Sequence, residues 1–133
     1  GGQQRRSFTD ISDGVSALMK IIENENGCAS GNIYNIGHPG NDLSVRELAE
    51  LMMEISQEFP EYRPGADRVE LVEVSSGDYY GKGYQDIQTR VPWIGNTRAD
   101  LGWEPTIGVR DALRNIFRAY RHEVADARAL IDD

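Results

Sequence analysis

Apolar positions along the chain fall into helical and extended periods that alternate. Val15, Leu18, Met19 and Ile22 recur at i, i+3, i+4, i+7 spacing behind Asp13, a capping carboxylate, and predict a helix that Asn26-Gly27 ends. Asn32 to Gly37 reads as a short strand, and His38-Pro39-Gly40-Asn41-Asp42 as a turn. Ser44 and Glu47 form an S-x-x-E capping box opening a second helix, with Leu48, Leu51, Met52 and Ile55 on one face. Pro60 and Pro64-Gly65 break that helix, and Arg68 to Val74, rich in Val and Leu, predicts a second strand. Asn96 is placed to cap a short helix ending at Gly102, and Trp103-Glu104-Pro105 is a break. Thr106 then opens a last helix with Leu113, Ile116, Phe117, Tyr120 and Val124 on one side, and the tail past Ala125 turns polar.

The elements together predict a mixed α/β (α+β) fold with few strands and three to four helices. No repeat or low-complexity linker divides the 133 residues, so residues 1–133 read as a single domain. A sheet of two strands is marginal alone. The pattern therefore calls for polypeptide beyond this chain to pack against.

Charge and composition narrow the partners. With 22 acidic against 14 basic residues the net charge is −8, which repels phosphate backbones and argues against nucleic acid. No apolar run approaches the ~20 residues of a membrane span, and the start lacks the apolar run of a signal peptide, so no membrane association is expected. Cys28 is the one cysteine, which excludes an internal disulfide and a multi-cysteine metal site and fits a reducing, cytoplasmic setting. His38 and His122 have no ligand-spaced partners, and no metal site is expected.

Residues 75–84 hold three glycines and three tyrosines, the composition of a loop that carries binding chemistry. Gly77 to Lys82 imitates a phosphate-binding loop but has three intervening residues instead of four, and Gly83 replaces the magnesium-binding hydroxyl. Gly81-x-Gly83 meets Asp86 where a dinucleotide fingerprint needs its third glycine. Two basic features remain. Arg5-Arg6, just before Phe8-Thr9-Asp10-Ile11, can clamp a phosphate or can be two solvated arginines. Lys82, Tyr84 and Arg90, with Asp86 between them, suit a sugar-phosphate ligand or cover the edge of the core. Residue chemistry alone leaves both choices open.

Longer motifs resemble a known family. F-T-D-I-x-D-G at Phe8–Gly14, N-I-Y-N-I-G at Asn32–Gly37, S-V-R-E-L-A at Ser44–Ala49 and N-T-R-A-D-L-G-W-E-P at Asn96–Pro105 resemble the C-terminal part of extended short-chain dehydrogenase/reductases acting on nucleotide sugars. The resemblance runs from Gly1 to about Tyr120. The loop Y-Y-G-K-G-Y-Q-D-x-x-x-R at Tyr79–Arg90, joined to G-G-x-x-R-R-x-F-T-D-I at Gly1–Ile11, is similar to the UDP-glucuronate oxidative decarboxylase domain of bifunctional polymyxin-resistance enzymes of the ArnA family. That family oxidises C4 of UDP-glucuronate with NAD⁺, loses the carboxylate as CO₂ and releases a UDP-4-keto-pentose, on the way to 4-amino-4-deoxy-arabinose on lipid A.

The resemblance implies that Gln3, Gln4, Arg5 and Arg6 lie on the stretch contacting UDP, and that Tyr84 contacts the sugar nucleotide. Arg90 matches the arginine assigned as proton donor to the carbanion left by CO₂. A guanidinium is permanently charged, so Arg90 reads first as an electrostatic stabiliser and anionic anchor and second as an acid. Val91-Pro92 follows it, and relatives with arginine before proline use that arginine for the nucleotide. The family's Y-x-x-x-K pair, glycine-rich NAD loop and acidic general base are absent from this chain. The expectation is thus the substrate-binding C-terminal portion of such an enzyme, inactive alone. Its partners would be UDP-glucuronate or a related UDP-sugar and a separate Rossmann domain that binds most of the NAD. The alternatives are the corresponding part of a nucleotide-sugar epimerase or 4,6-dehydratase, or a non-catalytic interaction module. The family forms homo-oligomers, and this chain's own residues leave its oligomeric state open.

Overall fold

The computed structural model describes residues 2–74 and 87–129. Strand β1 (Arg5–Ser7) leads into helix α1 (Ile11–Glu23). Its N-cap is Asp10, whose carboxylate accepts from the Ser12 amide at 2.8 Å, and not Asp13 as the spacing predicts. Asp13 is buried in the first turn. It is claimed by the segment ahead of the last long helix, accepting from the amides of Thr106 (3.0 Å) and Ile107 (2.9 Å). α1 ends at Glu23, before the expected Asn26-Gly27, because Asn24 already takes the left-handed conformation (φ 45°).

Strand β2 (Asp42–Ser44) runs directly into α2 (Val45–Ser56). The capping box is formed as the sequence predicts: Ser44 Oγ accepts from the Glu47 amide at 3.0 Å, and Glu47 Oε2 accepts from the Ser44 amide at 2.7 Å. A single-turn helix α3 (Arg63–Ala66) follows, then β3 (Thr89–Arg90), α4 (Gly95–Leu101), α5 (Val109–Tyr120) and α6 (Val124–Ala129). Among the described residues four helices are seven residues or longer, which agrees with the expected mixed α/β fold.

Neither expected strand forms a ladder. Residues 32–37 and 68–74 pair with no strand among the described residues. In the first of these, Asn96 Nδ2 donates to the Ile33 carbonyl (2.8 Å) and Thr97 Oγ1 to that of Asn35 (2.8 Å). Side chains of α4 thus occupy one edge, while the Tyr34 and Ile36 backbone groups meet no backbone partner among the described residues. The sheet is built instead from β1, β2 and β3 in the order β2-β1-β3. β1 is antiparallel to β2, with Arg5 opposite Ser44 and Arg6 opposite Leu43, and parallel to β3, with Arg5 beside Thr89 and Arg6 beside Arg90.

Two further helix starts differ from the spacing. α4 begins one residue before Asn96, whose side chain is taken by the Ile33 carbonyl and the Thr97 amide, and it stops at Leu101 with Gly102 left-handed (φ 55°). α5 begins at Val109, not Thr106, because Thr106 is bound to Asp13. Asn41 supplies the missing cap from the other side of the chain, accepting from the Val109 amide and donating to the Ile107 carbonyl, both at 3.0 Å. Val124 belongs to α6, separated from α5 by a 3-10 turn at Arg121–Glu123.

Burial is split between two clusters. Ala17, Ile94, Leu101 and Trp103 form one, with Ile21, Tyr34 and Ile36 packed against it. Trp103 is anchored there by its indole N–H, which donates to Ser16 Oγ (2.8 Å) and the Asp13 carbonyl (3.1 Å). Leu51, Ile55 and Leu113 form the other, between α2 and α5, bordered by Phe59 and Phe117. No helix among the described residues is long and apolar enough to cross a membrane.

Candidate functional site

The three strands are only two or three residues long, and four of their eight residues are charged: Arg5, Arg6, Asp42 and Arg90. Successive residues of a strand project from opposite faces, while register partners on adjacent strands share a face. Arg6 and Arg90, 84 positions apart in sequence, are therefore neighbours on one face of the sheet. Arg6 Nη1 donates to the carbonyls of Arg5 and Ile87, both at 2.7 Å, which ties β1 to the chain entering β3. Arg90 is exposed, and among the described residues no carboxylate pairs with it. Two arginines in register on one face place two cationic side chains where an anion lying over the sheet could meet both.

Arg5 points the other way. Its Nε donates to Asp42 Oδ2 (2.8 Å), Nη1 to Glu47 Oε2 (3.0 Å) and Nη2 to the Asp42 carbonyl (2.8 Å). The Asp42 bond, then the charges of Asp42 and Glu47, raise the Arg5 pKa above its ordinary value. The Ser44 amide and hydroxyl, followed by Arg5, hold the Glu47 carboxyl below the usual glutamate range. Gln3 is exposed, and Gln4 lines a cleft of about 270 Å³ with Val45, Leu71 and Val72, beside an ion pair of Arg46 with Glu73. Tyr84, like the rest of residues 75–86, lies outside the described residues. The structure thus brings Arg6 and Arg90 together and turns Arg5 away from them.

The described residues do not fit a dinucleotide. Its pyrophosphate needs a strand, a glycine-rich turn and a helix N-terminus with free amides. After β1 the first helical turn is capped by the Asp10 carboxylate, and after β2 by Ser44 and Glu47, so negative charge already sits at both junctions. After β3 the Trp93 indole lies over Gly95, where a Cβ would come within 2.2 Å of the ring. No step involving NAD is assigned to these residues. Among them no group of three or more His, Cys, Asp or Glu side chains could hold a metal ion.

No family model matches the chain. Among solved structures it is similar to the PbgP3 protein from Burkholderia pseudomallei, with 55% identity and a TM-score of 0.81 over 97% of this chain. The chain is a homologue of that part of PbgP3. It spans 35% of the PbgP3 chain, about a third of its length.

Sequence reasoning missed Asp42 and Glu47 as partners of Arg5. Glu47 was visible only as a capping residue, and Asp42 only as a turn residue. Separations of 37 and 42 positions leave no local spacing signal for either pair.

Proposed function

We propose that the chain is the substrate-binding portion, one domain over residues 1–133, of an NAD-dependent UDP-glucuronate oxidative decarboxylase of the polymyxin-resistance type. The observation that carries this reading is the placement of Arg6 beside Arg90 on one sheet face, together with the homology to PbgP3. NAD would supply the oxidation of C4 from a Rossmann domain outside these residues. The outward apolar stripe of α1 and the edge at Tyr34 and Ile36, which meets no backbone partner among the described residues, support such a partner, since both leave surface that a further sheet would cover.

The chemistry follows from charge. Once C4 is a ketone, the electron pair of the C5–carboxylate bond passes to the ketone oxygen as CO₂ leaves, giving an enolate. In this reading Arg90 stabilises that developing negative charge, Arg6 and the Gln3–Gln4 backbone hold the diphosphate side, and Tyr84 lines the sugar. A proton then returns to C5. Arginine holds its own proton tightly, so electrostatic stabilisation is the leading role of Arg90.

Arg90→Met in the complete enzyme is expected to lower turnover by about 100-fold or more, the scale of removing one oxyanion-stabilising donor, while UDP affinity changes by less than about 3-fold. Turnover that survives with only affinity altered overturns the role. Release of CO₂ from UDP-glucuronate with NAD⁺, but not epimerisation of UDP-galactose or dehydration of a 6-hydroxy sugar nucleotide, separates the decarboxylase from its sister activities.

A further inference from the structure

The resemblance groups Arg5 with Arg6 as a pair that grips the nucleotide, yet the two side chains project from opposite faces of the sheet. Arg6 has Arg90 as its strand neighbour. Arg5 has two carboxylates within 3.0 Å and a carbonyl at 2.8 Å. One positive charge against two negative ones leaves that face of the sheet acidic, and a diphosphate approaching it would be repelled. Asp42 adds a second constraint, because its Oδ1 is buried with no hydrogen-bond partner among the described residues. Its charge is compensated through Oδ2 by Arg5, so drawing Arg5 away toward a ligand would leave a partly buried carboxylate unpaired.

The same three bonds clamp several elements at once. Arg5 grips Asp42 at the start of β2 through both side chain and backbone, and Glu47 in the first turn of α2. Its own amide donates to the Gln88 carbonyl at 2.7 Å, on the β3 side. Arg5 therefore joins β2, α2 and β3 to the strand that carries Arg6.

We propose that Arg5 is a positioning residue and not a nucleotide ligand: through Asp42 and Glu47 it fixes β1 in the register that sets Arg6 beside Arg90. The effect on turnover rests on the function proposed above. The effect on the sheet does not.

The test uses the complete enzyme with Glu47→Gln, Arg5→Lys and the double variant. Gln at 47 keeps the capping bond to the Ser44 amide while removing the charge that faces Arg5. Lys at 5 keeps a charge but loses the three-pronged fork. Amide hydrogen exchange at residues 4–7 and 87–90 is expected to speed up about 10-fold or more in each single variant, reporting a loosened β1–β3 ladder. Turnover falls about 5-fold or more, UDP binding measured by calorimetry weakens about 3-fold or more in both single variants as Arg6 loses its place, and the double variant is no worse than the weaker single, the signature of one shared interaction.

Direct gripping gives the opposite result. Glu47→Gln would then free Arg5 and tighten UDP binding, and Arg5→Lys would weaken binding about 10-fold with exchange unchanged. Either outcome overturns the proposal. Should Arg5→Lys fold poorly, Glu47→Gln alone still decides, since the two models give its UDP affinity and exchange rate different behaviour. Arg90→Met is run alongside. Intact turnover there defeats the decarboxylase reading, while the exchange data still decide the role of Arg5.

Discussion

Helix α1 carries Ile11, Val15, Leu18, Met19 and Ile22 along one stripe, and α2 carries Leu48, Leu51, Met52 and Ile55 along another, but only α2 lays its stripe against the rest of the chain. Ile55 is fully buried between α2 and α5, whereas Ile11 is 77% exposed and Ile22 74%. α1 touches the core with Asp13, Ala17 and Ile21, each about 200° round the helix from the stripe residue two positions before it. Ile33, ten residues beyond the end of α1, is 89% exposed as well. The comparison teaches that amphipathic spacing reports a face meant to be covered without saying by what. α2 finds its cover within the chain. α1 turns its cover-seeking face outward.

The largest effect that tests this contrast comes from the face of α1 that is used. Trp103→Ala removes the indole packed against Ala17 together with two hydrogen bonds to α1. A loss of about 3–5 kcal/mol is expected, the usual range for a buried Trp or Phe truncated to Ala, read from denaturant unfolding. A smaller loss would mean that α1 is barely attached.

Next comes a matched pair on the two stripes. Ile55→Ala should cost about 2–5 kcal/mol, while Ile22→Ala should stay within about 0.5 kcal/mol in this chain. The sharpening arm is Leu18→Ser with Ile22→Ser, expected to leave the chain's stability nearly unchanged and to destabilise the complete enzyme. Equal effects in the two settings would show that the stripe has no partner in the larger protein.

The smallest effect is electrostatic and belongs to the α2–α5 side. Arg110 binds Glu54 through two bonds (2.8 and 2.9 Å), and Arg114 binds Glu58 through two more (2.8 and 2.9 Å). Those arginines hold the Glu54 and Glu58 carboxyls below the ordinary glutamate value. A depressed folded-state pKa means the unfolded chain takes up protons first as pH falls. The stabilisation is therefore present above about pH 4.5 and is lost as acid titrates the pairs. Melting temperature is expected to fall as pH drops below about 4.5, with a shallower fall in Glu54→Gln/Glu58→Gln. An unchanged slope in that variant would show the pairs to be ornamental, as exposed pairs often are.

Much of this was legible one element at a time. The Ser44–Glu47 box, the stop at Gly102 and the break at Trp103-Glu104-Pro105 are encoded within a few residues, where capping and backbone preference act. Helix starts were missed where a distant group took the expected cap: Thr106 answers to Asp13, and Asn96 to Ile33. The strands were missed in both directions. Residues 32–37 and 68–74 have the apolar content of strands without partners among the described residues. The true strands, Arg5–Ser7, Asp42–Ser44 and Thr89–Arg90, are too short and too polar to show a period of two.

By itself, then, the sequence determined which stretches would be helical and which faces would seek cover, because each depends on neighbours within about four positions. Only the tertiary structure decided that Arg6 meets Arg90 and that Arg5 instead meets Asp42 and Glu47. Those choices depend on strand register and on electrostatic pairing across 37 to 84 positions, and such long-range pairing is settled by how the whole chain closes.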